Sequence, residues 1–332
     1  MPAVSVVIPL YNTERYIAES VRSVLAQTFK DFELIVIDDG SSDNGPAIAR
    51  EVADPRIRVI TQDNRGLAGA RNSGIRAAKA PIVGLLDADD VWHPEKLARH
   101  VAHLAANPEI GVSFSHSRLI DDVGAPLGLQ QSPADRPIGI AELFCRNPVG
   151  NGSSPVIRRA ALDAIAFFDD TRGRLCWFDE SFRQSEDIEC WMRIAATTPW
   201  RFACVAAPLT DYRITSGGLS ANIEKQLATW RRFRDKVKGY APALEAEHGP
   251  RAEAYQLRYL ARRAVKSADG TVAARLAWDA VRRHPRMLRE EPARTIITLL
   301  AAFGVCLLPR ALYQSLSRTA VGLLSRTPKL RV

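Results

Sequence analysis

Short β-branched runs alternate with amphipathic stretches over the first third of the chain. The runs that predict strands are Val4–Pro9, Phe32–Ile37, Ile57–Ile60 and Ile82–Leu86. Apolar residues at helical spacing predict helices between them, over residues 14–27, 44–52 and 67–79. Strands that alternate with helices favour a parallel, doubly wound α/β sheet, whose ligands bind beyond the carboxyl ends of the strands.

The pattern becomes less regular after residue 110. Three further strands are predicted over Gly111–Leu119, Pro155–Arg158 and Phe202–Ala206. Amphipathic, Arg-rich helices then follow, over Trp230–Val237, Ala252–Lys266 and Val272–His284. We therefore expect a first domain over residues 1–220, with halves 1–110 and 111–220, and a helical region over 221–332.

The C-terminal region is basic and contains one strongly apolar segment. Residues 222–332 hold 22 Lys and Arg against 9 Asp and Glu, whereas the chain as a whole has a net charge of +8. The apolar helix predicted over 295–308 is too short to span a bilayer. An apolar helix with basic flanks predicts attachment to an anionic membrane surface. Packing of this helix on the first domain or in a homodimer is the alternative, and no nucleic-acid-binding motif accompanies the charge.

The cysteines and the N-terminus bear on localisation. Five cysteines occur without a CxxC pair, which predicts reduced thiols and no zinc site. The apolar run Val4–Leu10 is too short for a signal peptide. We expect a cytoplasmic protein that is peripheral at the inner face of the cell membrane.

Polar clusters follow three of the four predicted N-terminal strands. They occupy residues 9–12, 38–43 and 87–90, and the last of them contains Asp87, Asp89 and Asp90. In a parallel sheet these strand ends share one edge, where the two carboxylates of an Asp-x-Asp pair can hold a hard divalent cation. Solvated or helix-capping turns are the alternative for each cluster taken alone, and we expect Asp90 to cap its turn.

The glycine pattern excludes two other nucleotide-binding sites. No G-x-G-x-x-G follows the first strand, and the chain contains no G-x-x-x-x-G-K-[ST]. A nucleotide diphosphate would therefore be held by acidic groups and a metal ion.

Five motifs in order resemble glycosyltransferase family 2, the inverting enzymes of the GT-A fold. They are VSVVIPLYN at 4–12, FELIVIDDGSSD at 32–43, NRGLAGARNSGIRAA at 64–78, GLLDADD at 84–90 and SEDIECWMR at 185–193. The similarity covers about residues 3–220. It implies a Rossmann-like, mostly parallel sheet flanked by helices.

The resemblance implies a set of donor-binding residues. Pro9 and Tyr11 would line the nucleobase pocket, and Asp39 would hydrogen-bond the base at N3 of uracil. Arg71 would lie near the nucleotide, and Asp87 would contact the ribose or the metal.

The resemblance also implies the metal ligand and the catalytic base. Asp89 would ligate Mn²⁺ or Mg²⁺, which neutralises the leaving diphosphate, and Asp187 would take the proton of an acceptor hydroxyl. Glu186 and the aromatic Trp177 are candidates for acceptor contacts, although a core position for Trp177 fits the sequence equally well. Ser185 followed by two acidic residues is also typical of the start of a helix.

One position departs from the family's pattern. Many relatives have a histidine near the metal where this chain has Thr215. Metal binding would then rest on Asp89, the phosphates and water, and we expect His93 to be structural.

These residues predict a metal-dependent, inverting transferase that uses a UDP-linked sugar donor. The acceptor would be a hydroxyl of a polysaccharide or of a lipid-linked saccharide. Transfer to a polyprenyl phosphate is one alternative, since an anionic acceptor needs no base. A non-catalytic nucleotide-sugar-binding protein is the other, and the presence of Asp39, Asp89 and Asp187 disfavours it.

Overall fold

The structure, a computed structural model, describes residues 1–133, 136–214 and 223–308. The chain divides into two compact units. The first contains residues 1–143 and 147–218, and the second contains residues 144–146 and 219–332. The predicted position Thr215 lies outside the described residues.

A mixed sheet forms the centre of the first unit. Its strands are β1 Val4–Leu10, β2 Phe32–Asp38, β3 Ile57–Thr61, β4 Ile82–Leu85, β5 Val91–Trp92, β6 Ile110–Ile120, β7 Pro126–Gln131, β8 Val156–Arg158 and β11 Arg201–Arg213. The order is β3-β2-β1-β4-β8-β6-β11-β5, and β7 pairs with β6. β9 Phe167–Asp169 and β10 Arg174–Cys176 form a separate antiparallel pair.

The N-terminal half of this sheet is parallel, as its alternating pattern predicts. β1 lies between β2 and β4 and is parallel to both. Every residue of β1 and β2 is buried, which explains their continuous apolar runs. The carboxyl ends of these three adjacent strands therefore meet at one edge of the sheet, where the acidic clusters begin.

The second half of the sheet is mixed. β8 is antiparallel to both β4 and β6, whereas β11 is parallel to β6 and antiparallel to β5. β5, β7 and the β9–β10 pair are absent from the sequence-based prediction. Each is short, and β7 is largely exposed, so none has the buried apolar run that predicts a strand.

Helices flank the sheet of the first unit. They are α1 Ile17–Leu25, α2 Gly45–Glu51, α3 Gly66–Ala77, α4 Lys96–Ala106, α6 Arg159–Asp163 and α7 Glu186–Thr197, whereas α5 Ile140–Cys145 has its last two residues in the second unit. α3 approaches β1 closely, since a Cβ at Gly74 would lie 2.1 Å from Cγ1 of Val7. Glycine at position 74 therefore permits this helix to pack on the central strand.

The second unit is helical. Its helices are α8 Ile223–Tyr240, α9 Pro242–Lys266, α10 Gly270–Arg283, α11 Met287–Glu290 and α12 Pro292–Leu307. Leucine and alanine residues of α9 and α10 form most of its core. α12 matches the predicted apolar helix. Among the described residues, no helix is both long enough and apolar enough to cross a membrane.

Candidate active site

The acidic run after β4 contains one carboxylate that is buried and hydrogen-bonded, that of Asp90, and one that is unpaired, that of Asp89. Asp90 is fully buried, and its carboxylate accepts hydrogen bonds from the Arg213 backbone N–H at 2.8 Å and the Ser153 hydroxyl at 2.5 Å. The expected turn-capping role is therefore wrong, because Asp90 holds the end of β11 against the acidic run. Burial raises the pKa of Asp90 well above its ordinary value, and the charges of Asp89 and Asp87 raise it further.

Asp89 is held by its backbone, whereas its carboxylate stays unpaired. The Arg213 guanidinium donates to the backbone carbonyl of Asp89 at 2.7 Å and to Glu19 at 2.7 Å. The Asp89 side chain forms no ion pair within the described part of the chain. Burial, followed by the neighbouring charge of Asp87, raises the pKa of Asp89 to about 6.

Asp87 and Glu186 are joined by one arginine. Arg71, which is 1% exposed, donates to the Asp87 carboxylate at 2.8 Å and to the Glu186 carboxylate at 2.7 Å. A Cβ at position 152 would lie 2.2 Å from Nη2 of Arg71, so Gly152 leaves the space that the guanidinium occupies. Burial lowers the pKa of Arg71, but the charges of Asp87, Glu186 and Asp187 outweigh it and raise the pKa above its ordinary value. Arg71 thus fixes the position of the acidic run relative to the start of α7.

The two acids at the start of α7 differ in exposure and partners. Glu186 is buried against Arg71, and burial raises its pKa to about 7 even though Arg71 opposes the shift. Asp187 is half-buried, and its carboxylate accepts from the Ile188 backbone N–H at 2.8 Å and the Asn147 side-chain amide at 3.2 Å. Burial also raises the pKa of Asp187 above its ordinary value, although the charge of Arg71 opposes the shift.

Ser185 adopts a left-handed conformation directly before these acids. Its φ is +61°, and its side chain makes no cap hydrogen bond to α7. The helix start that this pattern indicates is therefore confirmed, but the Ser185 side chain does not cap it. A strained non-glycine backbone is typical of functional sites, where it sets the direction of neighbouring side chains.

Asp39 lies at the end of β2 and accepts three hydrogen bonds. Its donors are the Gln62 side chain at 2.7 Å and the backbone N–H groups of Arg65 at 2.9 Å and Gly66 at 2.8 Å. Its carboxylate is thereby fixed beside the N-terminus of α3.

The predicted base-pocket residues lie at the same edge of the sheet. Pro9 is buried inside β1 and is opposite Ile37 of β2. Tyr11 follows β1 with 52% of its surface exposed, so its ring can contact a ligand.

Trp177 does not offer an acceptor surface. It is 1% exposed, its backbone N–H donates to Asn72, and its indole N–H donates to Asp163. The acceptor contact expected for Trp177 is therefore wrong, because its faces lie in the interior, and the alternative core position is correct.

Three supporting residues have no recognisable signal in the sequence. Ser153 links Asp87 to Asp90, since it accepts the Asp87 backbone N–H at 2.9 Å and donates to the Asp90 carboxylate. Arg213 and Asn147 hold Asp89 and Asp187 as described above. All three act through contacts between residues that are far apart in sequence.

The site fits a divalent cation that is completed by substrate oxygens. No group of three or more acidic, histidine or cysteine side chains arranged for a metal occurs within residues 1–133, 136–214 and 223–308. Mg²⁺ and similar ions are commonly held by one or two carboxylates together with substrate phosphates. The unpaired Asp89 carboxylate beside Asp87 provides such a donor set.

Comparison with known proteins identifies the family. The model of glycosyl transferase family 2 matches residues 5–166. Residues 5–166 therefore form a domain of glycosyltransferase family 2.

Curated relatives of this family match the chain over different lengths. An uncharacterised glycosyltransferase of Nostoc sp. is 35% identical over 187 residues, which are 53% of this chain and 56% of that protein. The chain thus spans little more than half the length of that relative. The Escherichia coli UDP-Glc:alpha-D-GlcNAc-diphosphoundecaprenol beta-1,3-glucosyltransferase WfgD is 28% identical over 228 residues, which are 68% of this chain and 82% of that protein.

Solved structures show the fold of this family member. S. aureus TarS in complex with UDP-GlcNAc superposes with a TM-score of 0.59 and 18% identity, over 96% of this chain and 92% of that chain. The mannosyltransferase PcManGT from Pyrobaculum calidifontis, in complex with GDP-Man and Mn²⁺, has a TM-score of 0.56 and 21% identity, over 92% of this chain and 85% of that one. These likenesses confirm the predicted GT-A fold and its helical C-terminal region.

Proposed function

We propose that this protein transfers a sugar from a UDP-sugar to a hydroxyl of a lipid-linked saccharide or polysaccharide, with inversion at the anomeric carbon. The arrangement of Asp89 and Asp187 around the Arg71 bridge carries the proposal. It supplies an unpaired carboxylate on the donor side and a carboxylate of raised pKa on the acceptor side. WfgD, by its name, uses a UDP-linked glucose and a lipid-linked acceptor, which supports this substrate class.

The proposed donor site extends along the edge of the sheet. Tyr11, Pro9 and Asp39 would contact the base, and Asp87 would contact the ribose or share the metal with Asp89. Bound Mn²⁺ or Mg²⁺ would neutralise the charge that develops on the leaving diphosphate. Arg71 would act on the nucleotide indirectly, by orienting Asp87.

Asp187 would accept the proton of the acceptor hydroxyl as that oxygen attacks the anomeric carbon. A single displacement inverts the configuration there and needs one base and no covalent nucleophile. Asn147 and the Ile188 N–H hold the Asp187 carboxylate in one orientation. Transfer to a polyprenyl phosphate, the second candidate, would leave Asp187 without a proton to accept.

The second unit would bring the protein to its lipid-linked acceptor. One face of α12 exposes Ile296, Leu300, Phe303 and Leu307, with Ile297 beside them. We propose that this face binds an anionic membrane surface from the cytoplasmic side, because apolar faces within basic segments bind such surfaces. A homodimer formed through the same face is the alternative.

A donor screen tests the proposed activity. Isothermal titration calorimetry of the full chain with UDP-sugars, GDP-mannose and Mn²⁺ should give binding for at least one UDP-sugar. Incubation of that sugar with a synthetic diphosphate-linked lipid saccharide should then release UDP and extend the acceptor by one sugar. Binding of GDP-mannose alone would contradict the proposed donor class, and nucleotide release without any extended acceptor would contradict transfer.

A further inference from the structure

The segment formed by residues 177–183, which leads into α7, lies against one face of α3. Gly66, Gly69 and Asn72 are spaced three residues apart and so lie on the same side of the helix. The Asn72 side chain accepts the backbone N–H groups of Trp177 at 3.0 Å and Phe178 at 2.8 Å and donates to the Phe178 carbonyl at 2.8 Å. These bonds fix the start of the segment on α3.

Further along this segment, Glu180 lies close to Gly69 and Arg183 lies close to Gly66. A Cβ at Gly69 would lie 3.4 Å from the Glu180 carboxylate. A Cβ at Gly66 would lie 2.1 Å from Nη1 of Arg183 and 3.2 Å from its Cζ. Gly66 also has a φ of +76°, which disfavours any other residue. The chain therefore keeps a glycine where the Arg183 guanidinium lies across the start of α3.

Arg183 is placed there without a carboxylate partner. Its side chain is exposed and forms no ion pair within residues 1–133, 136–214 and 223–308. Gly66, directly beneath it, donates its N–H to Oδ2 of Asp39 at 2.8 Å. An unpaired group of hydrogen-bond donors thus lies next to the residue that is expected to contact the nucleobase.

Asp39 retains one free acceptor position. Oδ1 accepts from Gln62 and from the Arg65 N–H, whereas Oδ2 accepts only from Gly66. Each carboxylate oxygen has two lone-pair sites, so Oδ2 can accept one more hydrogen bond. The pair therefore offers one acceptor from Asp39 and a fork of donors from Arg183.

We propose that Arg183 donates to the O4 carbonyl of uracil beside the N3–H that Asp39 is expected to accept, which makes Arg183 a specificity-determining residue for the donor. Cytosine presents the reverse pattern at these atoms, an N3 acceptor beside an amino donor, and would face Asp39 and Arg183 unfavourably. The inference rests on the proposed function, because it takes a nucleotide-sugar as the ligand. It adds a residue outside the motifs on which the sequence-based prediction depends.

Calorimetry of the full chain with UDP and CDP, with Mn²⁺ present, tests this role. The wild-type protein should bind UDP more tightly than CDP. Arg183→Gln should weaken UDP binding about tenfold, the worth of one hydrogen bond to a charged group, and change CDP binding much less. Arg183→Lys, which keeps the charge without the planar fork, should recover only part of the preference. Arg22→Gln, at another exposed arginine of the first unit, is the matched control and should leave both affinities unchanged.

Two outcomes would count against this role, and a third would count against the proposed function. Unchanged UDP affinity in Arg183→Gln, with an unchanged thermal midpoint, would overturn it. An equal loss for UDP and CDP in both Arg183 variants would also overturn it, since that result indicates a contact with the diphosphate and not with the base. Failure of the wild-type protein to bind any nucleotide would instead contradict the proposed function itself.

Discussion

Arg71 and Glu186 form a buried ion pair, 2.7 Å between Nη1 and Oε1, that joins α3 to the first residue of α7. The same guanidinium binds Asp87 at 2.8 Å. One side chain therefore links the neighbour of the proposed metal ligand, Asp87, to the neighbour of the proposed base, Glu186. Loss of one partner would leave buried charge uncompensated, which costs more than the pair itself contributes.

Arg71→Met should lower the free energy of unfolding by about 3 kcal/mol, because Asp87 and Glu186 lose their cation. Glu186→Gln alone should change the stability little at pH 7, because burial already raises the pKa of Glu186 to about 7 and Arg71 keeps its pair with Asp87. Adding Glu186→Gln to Arg71→Met should restore part of the loss, and chemical denaturation of the three variants gives the coupling energy. Arg99→Gln, which breaks the exposed pair with Glu95, is the control and should change stability by less than about 1 kcal/mol. Purely additive effects of the two substitutions would contradict this relationship.

The pH dependence of transfer should report the proposed base. Burial raises the pKa of Asp187, and the hydrogen bond from Asn147 opposes that shift. Only the deprotonated carboxylate accepts a proton, so kcat/KM should fall as the pH drops through this pKa. Asn147→Ala should raise the pKa further and move the acidic limb of the profile to higher pH. A limb that moves to lower pH, or stays in place, would argue against Asp187 as the titrating group.

Asp89→Asn should stabilise the metal-free protein at pH 7. The folded pKa of Asp89, about 6, lies above its ordinary value of 3.8, so the folded state holds this proton more tightly than the unfolded state does. Its contribution to stability is present below about pH 4 and is lost as the pH rises through about 6. Removal of the charge should therefore raise the free energy of unfolding at pH 7 by about 3 kcal/mol.

Bound Mn²⁺ should offset the destabilising negative charge of Asp89 in the wild-type protein. With UDP present to complete the site, differential scanning calorimetry should show a higher thermal midpoint on addition of Mn²⁺ for the wild type and for the exposed control Asp63→Asn, and little change for Asp89→Asn. An equal Mn²⁺ response in all three proteins would remove Asp89 as the ligand.

A single charge on α12 should release the protein from anionic vesicles. Leu300 is 69% exposed, so Leu300→Glu places a negative charge on the apolar face without disturbing the core. In sedimentation with phosphatidylglycerol vesicles at low salt, this variant should remain in the supernatant, while the wild type and Leu129→Glu pellet with the lipid. Wild-type protein that ignores the vesicles, or a Leu300→Glu variant that still pellets, would contradict the membrane proposal.

The parallel half of the fold could be predicted because each element there has a local cause. β1, β2 and β4 are buried on both faces, so their apolar runs are continuous, and the polar clusters at their carboxyl ends necessarily share one edge. The bridge from Arg71 to Glu186 could not be predicted in this way. Its two residues are 115 positions apart, and no periodicity indicates which helix the later segment will contact.

The wrong predictions for Trp177 and Asp90 also arise from contacts between distant segments. Trp177 resembles a sugar-stacking residue in sequence, but its burial depends on Asn72 and Asp163, which come from other elements. Asp90 resembles a turn cap, but its partners are Ser153 and the distant Arg213. Local patterns give the type of side chain at an edge, whereas exposure depends on how distant segments pack over it.

A variant of Asp187 that keeps nucleotide binding and loses sugar transfer would test the proposed mechanism most directly. Calorimetry with UDP and Mn²⁺ and a transfer assay with a hydroxyl acceptor should be run in parallel on the wild type, Asp187→Asn and the exposed control Asp63→Asn. We expect Asp187→Asn to bind UDP as the wild type does and to lose at least about a hundredfold in kcat, the usual contribution of a general base. Near-normal transfer by Asp187→Asn would contradict the assignment of this residue as the catalytic base.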